Sequence, residues 1–240
     1  KPDYDDAWVL ACSAHSTRIF DLGANIGQAS ILELYSENVK ELLLVDPNPK
    51  ALSLAAENLI INHLIDRVRF ICAFVSDQAD QSVEFWTVGT GAAGSMWKQH
   101  AKTASKKHKS FFVPTTTIDR LSERYGAPDL IKIDIEGAES LALMGCQKTV
   151  RDRKTRLLIE MHSNPELPMV ENASRILNWC AINHYKAWYL KKKIEIDRPE
   201  ILSSRGRCHI LLQPAEWSFP EWLLSIEQSA TPESILKLIN

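Results

Sequence analysis

Compact apolar runs alternate along the chain with stretches in which apolar side chains return every three or four positions. Residues 18–22, 42–45 and 68–75 have the length and continuity of buried strands. Between them, residues 26–37 and 50–62 carry helical spacing, the second with Leu52, Ala55, Ala56 and Leu59 on one face. A more polar stretch follows, with a strand-like run at 83–88. Residues 130–134 and 157–161 are again short apolar strands, flanking a helix that begins at Ala138. Met169, Ala173, Ile176, Leu177 and Cys180 mark another helix, and 185–190 and 208–212 are the last strands. Strands alternating with helices predict an α/β fold, doubly wound around a mostly parallel sheet covered on both faces. One domain over 1–240 is expected, with a core of about 16–212. Trp217, Trp222, Leu223 and Ile226 fall in C-terminal helices that pack back on it.

Residues 89–110 break the pattern. "GTGAAGSMWKQHAKTASKKHKS" has three glycines, five lysines and little apolar periodicity. A solvated surface loop and a substrate lid both suit it, because long loops in compact domains often carry binding. The stretch forms an inserted strand and loop region after the third strand.

Composition narrows the function classes. An apolar share of 45% with 24% charged residues describes an ordinary globular chain, and a net charge of −2 gives no global attraction to nucleic acid or anionic membrane. No apolar run approaches the roughly 20 residues of a membrane helix. Lys1-Pro2-Asp3-Tyr4-Asp5-Asp6 is too polar for a secretory signal. The five cysteines are odd in number and form no C-x-x-C pair, which argues against a disulfide framework or zinc site. Cys72 and Cys208 lie in apolar runs where buried, reduced thiols are expected, and the cytoplasm is the expected compartment.

The chemistry starts at "IFDLGANIGQAS", residues 19–30. A strand running into a glycine turn and a helix start suggests a nucleotide site, yet a dinucleotide fingerprint needs Gly at three places where this chain has Gly23, Asn25 and Gln28. The spacing that fits is D-x-G-x-N-x-G, from Asp21 to Gly27, the turn of S-adenosylmethionine-dependent methyltransferases. Gly23 admits close backbone approach of the methionine part. Asn25 can cap the next helix and reach the cofactor carboxylate. Asp21 is placed to meet the ammonium group or an ordered water. Asp46, in "LLLVDPNP", ends the next strand and can accept from both ribose hydroxyls, with Pro47 closing the strand. Ser76, after the third strand, is expected near the adenine edge.

"IKIDIEGAE" (131–139), with "FDLGANIG", "VDPNP", "PTTTIDRL" (114–121) and "LIEMH" (158–162), resembles the FkbM family of methyltransferases over roughly residues 18–190. The resemblance implies a seven-stranded sheet, S-adenosylmethionine as donor and an oxygen acceptor on a sugar, glycan or natural product. The residues agree. The turn after the fourth strand is Asp134-Ile135-Glu136-Gly137, lacking the prolines and aromatic of the N/D-P-P-Y turn common in amino-group methyltransferases. Methylating a hydroxyl calls for a proton acceptor, and Asp134, Glu136, Glu160 and His162 all fall at carboxyl ends of strands, where ligands of such sheets lie. His162 suits a neutral-pH base by its ordinary pKa. Lys132, alternating with Asp134, can pair with a carboxylate, and Glu139 reads as a first-turn helix residue favoured by the dipole. Asp134, Glu136 and Glu160 could also hold Mg²⁺. Two other functions compete: a cofactor-binding module without catalysis, and a methyltransferase of RNA or protein. The first should have lost its acids, whereas Asp21, Asp46 and Asp134 are present. An RNA enzyme should show a basic face, and none is apparent.

Overall fold

A computed structural model describes residues 6–88, 94, 96, 106–107, 109–163, 167–228 and 230–239. Helix α1 (Asp6–Ala14) leads into β1 (Arg18–Leu22), α2 (Gln28–Leu34), β2 (Glu41–Asp46), α3 (Pro49–Ile61) and β3 (Val68–Cys72). Then come β4 (Phe74–Val75), β5 (Ser82–Trp86), β6 (Ser110–Thr116), α4 (Ile118–Tyr125), β7 (Leu130–Ile133) and α5 (Glu139–Met144). The last third holds β8 (Arg156–His162), α6 (Met169–Asn183), β9 (Tyr185–Tyr189), β10 (Ile194–Glu195), β11 (Arg207–Pro214), α7 (Glu221–Leu224) and α8 (Pro232–Ile239).

The central sheet runs β10-β9-β11-β8-β7-β1-β2-β3. Its strands β3, β2, β1, β7 and β8 are parallel, and β11 lies antiparallel between β8 and β9. The expected seven strands are therefore eight. The additional one is the two-residue edge β10, hairpinned onto Tyr189 and Trp188, too short to leave a period in the sequence. The chain winds outward from β1 through β2 to β3, then returns to β7 on the other side of β1. That reversal opens a crevice beyond the carboxyl ends of β1, β2 and β7.

Both sheet faces are buried, which is why the strands read as unbroken apolar runs. Phe20, Leu22, Leu43, Val45, Ile131 and Ile159 face one apolar cluster, and Ile19, Leu42, Leu44, Leu130 and Leu158 face the other. Helix α1 seals the second face with Trp8, Val9 and Leu10. Its sequence, DAWVLACSA, is apolar all round and buried from Ala7 to Ser13, so it shows no amphipathic stripe by which to predict it.

The expected strand 68–75 divides at Ala73. Phe74 and Val75 leave the main sheet and pair with Thr115 and Thr116 of β6, building a small β4-β6-β5 sheet beside the crevice. Most of the 89–110 stretch lies outside the described residues. Cys72 is exposed, contrary to expectation, because the strand turns away there, while the other four thiols are buried and all five are unbridged. Among the described residues no helix is long and apolar enough to cross a membrane.

Candidate active site

The glycine turn between β1 and α2 is held in left-handed geometry, with Gly23, Asn25 and Gly27 at φ +85°, +48° and +79°. Helix α2 cannot begin until Gln28 for that reason, two residues later than its apolar spacing suggests. Gly27 occupies the N-cap without a side-chain bond, so Asn25 does not cap the helix. A Cβ on Gly23 would lie 1.8 Å from the carbonyl oxygen of Asp134, so the adjoining backbone itself excludes a side chain there. Gly27 serves packing: its Cβ would press on Ala55 of α3 at 3.1 Å.

Asp46 ends β2 with only 8% of its surface exposed. Its Oδ2 accepts from the Asn25 amide at 2.9 Å and its Oδ1 from the Asn48 amide at 2.7 Å. Burial raises this carboxyl to about 6 against the pull of those two amides. Each oxygen keeps a further lone pair. Asn48 in turn caps α3, accepting from the Lys50 amide.

A cavity opens over this turn. Gly23, Asn25, Asp46, Pro47, Asp134 and Glu136 line it, together with Phe74, Val75 and Phe85 from the small sheet and Gly94 from the loop stretch. Three of the expected contacts stand behind it. Asp21 is fully buried, accepting from Ser30 Oγ at 2.7 Å and paired with Lys132 Nζ at 3.3 Å. Asp21 and Lys132 are register partners on β1 and β7, which accounts for the pairing. Gly27 and Ser76 are also outside the lining, the latter bonded to Asp77 and the Thr116 carbonyl.

At the far end, β7 and β8 bring the carboxylates together. His162 Nε2 stands 3.5 Å from Glu160, 3.7 Å from Glu136 and 3.9 Å from Asp134. Its Nδ1 meets Glu139 at 3.0 Å. Asp134 and Glu136 line the cavity, whereas Glu160 and His162 are outside its lining. Burial disfavours the His162 cation, but the bonds to Glu139 and Glu160 outweigh it and raise the imidazole to about 11. The ring of acids thus favours the charged imidazole, which weighs against a neutral-pH base at His162. Glu160 is also less available than its position suggested. Arg207 Nε lies 2.8 Å from Oε1 and His209 Nε2 lies 3.2 Å from Oε2. Burial opposes its charge, yet the two histidines hold the acid well below its ordinary range. His209 faces Glu160 from the adjacent β11, a partner no motif signals. Burial pushes Asp134 up to about 7, partly offset by Lys132 at 3.8 Å. Glu139 belongs to this site as well, which its helical position concealed.

A reversing parallel sheet with its last strand inserted antiparallel, a left-handed glycine turn and a carboxylate at the end of β2 together define a class I, Rossmann-like methyltransferase. The chain belongs to the FkbM methyltransferase family: the Methyltransferase FkbM domain matches residues 21–186. No curated protein matches it in sequence. Among solved structures it resembles methyltransferase FkbM from Methylobacillus flagellatus KT, with TM-score 0.51 and 15% identity over 82% of this chain and 43% of that one. The chain thus spans less than half the length of that relative. A putative rRNA-methylase from Clostridium thermocellum superposes with TM-score 0.51 and 9% identity, covering 91% of this chain and 99% of the other. At such identities the likeness is one of fold.

Proposed function

We propose that this chain is an O-methyltransferase that moves a methyl group from S-adenosylmethionine to a hydroxyl of a sugar, glycan or other natural product. The observation that carries the reading is the position of Asp134 and Glu136 in the wall of the same cavity that Asp46 and the glycine turn enter. Asp46 is suited to the ribose hydroxyls, and Phe74, Val75 and Phe85 to the adenine. Asn25 Oδ1 is buried without a hydrogen-bond partner, an orphan acceptor that the donor's ammonium group would satisfy. Asp21 supports this turn from behind through Ser30 and Lys132. S-adenosylmethionine held there would supply a sulfonium methyl to the acceptor oxygen, the carbon–sulfur electron pair remaining on sulfur. The hydroxyl proton passes to Asp134, or to Glu136 beside it, and His162 and Glu160 hold those carboxylates in place. Much of the acceleration comes from orientation, so no single residue carries all of it.

Calorimetry with S-adenosylmethionine and S-adenosylhomocysteine tests the donor. A screen of activated sugars, glycosides and polyketides with labelled donor tests the acceptor. Asp134→Asn is expected to slow transfer by roughly 10²–10⁴ with donor affinity retained. Full activity in that variant would sink its role.

A metal-assisted variant has one observation in its favour: Asp134, Glu160 and His162 offer ligand atoms within 4.8 Å of one another. An imidazole beside two carboxylates suits Mn²⁺ or Zn²⁺ better than Mg²⁺. Loss of transfer in EDTA with recovery on adding one of these ions would favour it, and EDTA-resistant transfer would exclude it.

A further inference from the structure

We propose that Glu139 is a positioning residue, holding His162 in one orientation so that His162 fixes Asp134 and Glu136 in the cavity wall. The inference rests on the methyl-transfer reading above and assigns a role to a residue that the sequence places merely in a first helical turn.

Glu139 opens α5 and has no exposed surface. A carboxylate spent on the helix dipole would face solvent or its own helix. This one faces three partners, one in the turn before its helix and two on other elements, β8 and α6. Its Oε1 accepts from the Gly137 amide at 2.9 Å and meets His162 Nδ1 at 3.0 Å. Its Oε2 accepts from Asn172 Nδ2 of α6 at 3.3 Å, and the same nitrogen donates to the His162 carbonyl at 3.0 Å. Asn172 is itself fully buried. Both ends of His162, ring and backbone, are therefore tied to one Glu139–Asn172 unit.

The inventory of donors fixes a hydrogen on the histidine's Nδ1. An ionised carboxylate only accepts, and the Gly137 amide and Asn172 amide group only donate to it. His162 Nδ1 must carry a hydrogen to join them, which leaves Nε2 as the atom facing Asp134, Glu136 and Glu160. The bond to Gly137 adds a second function. Glu136 and Gly137 form a left-handed turn, with φ +52° and +96°, and such geometry at Glu136 persists only where neighbours enforce it. Glu139 thus fixes the turn that carries Glu136 and the ring that Glu136 faces. One buried carboxylate sets both sides of that pair.

The test needs no acceptor for its first arm. In long-range ¹H–¹⁵N spectra of the wild type, His162 is expected to show a strongly downfield Nδ1–H. The signal moves upfield in Glu139→Gln and disappears into exchange in Glu139→Ala. S-adenosylhomocysteine affinity, measured by calorimetry, stays within about twofold in Glu139→Gln, because Glu139 lies outside the donor cavity. In the second arm, with any acceptor found in the screen, turnover falls roughly 10- to 100-fold in Glu139→Gln, a span typical for partners that orient a functional imidazole. Asn172→Ala, which leaves the charge in place, falls less. Should Glu139→Ala fail to fold, Glu139→Gln and Asn172→Ala decide. A wild-type spectrum without the Nδ1–H signal, or full turnover in folded Glu139→Gln, overturns the proposal. A present signal with no transfer to any hydroxyl acceptor counts instead against the O-methyltransferase reading and leaves the Nδ1–H assignment standing.

Discussion

Asp46 carries opposed demands within a single side chain. The ribose-binding role proposed for it needs an ionised acceptor, while burial at the end of β2 raises the carboxyl from its usual 3.8 to about 6. A raised carboxyl means that the folded chain holds this proton more tightly than the unfolded chain does. The associated stability is therefore complete below about pH 4 and is lost as pH rises through 6. Asp46→Asn removes that pH dependence, at a constant cost, because one of the amides of Asn25 and Asn48 loses its acceptor. Denaturant melts of the two proteins are expected to shift in the variant's favour by about 2–3 kcal/mol between pH 4 and pH 7. Donor affinity moves the opposite way: it weakens in the wild type below about pH 6, and in Asp46→Asn it is weak throughout. A stability difference that stays flat across this range would show that Asp46 is not a buried acid in solution.

At the scale of elements, the β1–α2 turn ties sequence to site most closely. Gly23 donates to Val45 of β2 at 2.8 Å and would clash with Asp134 beyond β7, so it sits where three strands converge. Gly23→Ala is enough to test this. At φ +85° an alanine is strained by about 1–3 kcal/mol before any clash is relieved. Relief must push the turn and the Asp134 loop apart. A lowered denaturation midpoint together with at least tenfold weaker donor binding is expected, and wild-type binding in a folded variant would refute the geometry. The turn, the Asp46 strand end and the Asp134–Glu136 turn were legible because each is local: glycines, an acid and a strand end within a few residues. What escaped was non-local. The pairing of Glu160 with His209 and Arg207 depends on β11 lying beside β8, and the link from Glu139 to His162 depends on α5 and α6 meeting over β8. Burial hid more. Alternation cannot mark α1, which is apolar all round, and a run such as 68–75 cannot reveal that its last two residues join another sheet.

Across the whole molecule, the two ends of the sheet have different electrostatic character. Carboxylates gather at the carboxyl ends, whereas Arg18, Lys40, Arg67, Arg69 and Arg124 line clefts at the amino ends. The second group invites an RNA reading. Its members are largely committed to the fold. Arg18 pairs with Glu41 at 2.6 Å, Arg67 donates to the carbonyls of Leu34 and Val39, and Lys40 reaches the Glu37 carbonyl. These cations also stand at the opposite end of the strands from the cavity, so an RNA strand held there would not deliver its base or ribose to Asp134. The acids at the cavity end repel phosphates as well. Binding of a short single-stranded RNA is therefore expected to be weak, with a slope of log K against log salt shallower than about −2, corresponding to only two or three phosphate contacts. A tight complex with a slope near −5, weakened by Arg69→Ala and Arg124→Ala, would reverse the choice and make RNA the acceptor to pursue. If binding is shallow and the lysines of 98–109 can be changed to serine without altering transfer to a neutral glycoside, the small hydroxyl acceptor stands.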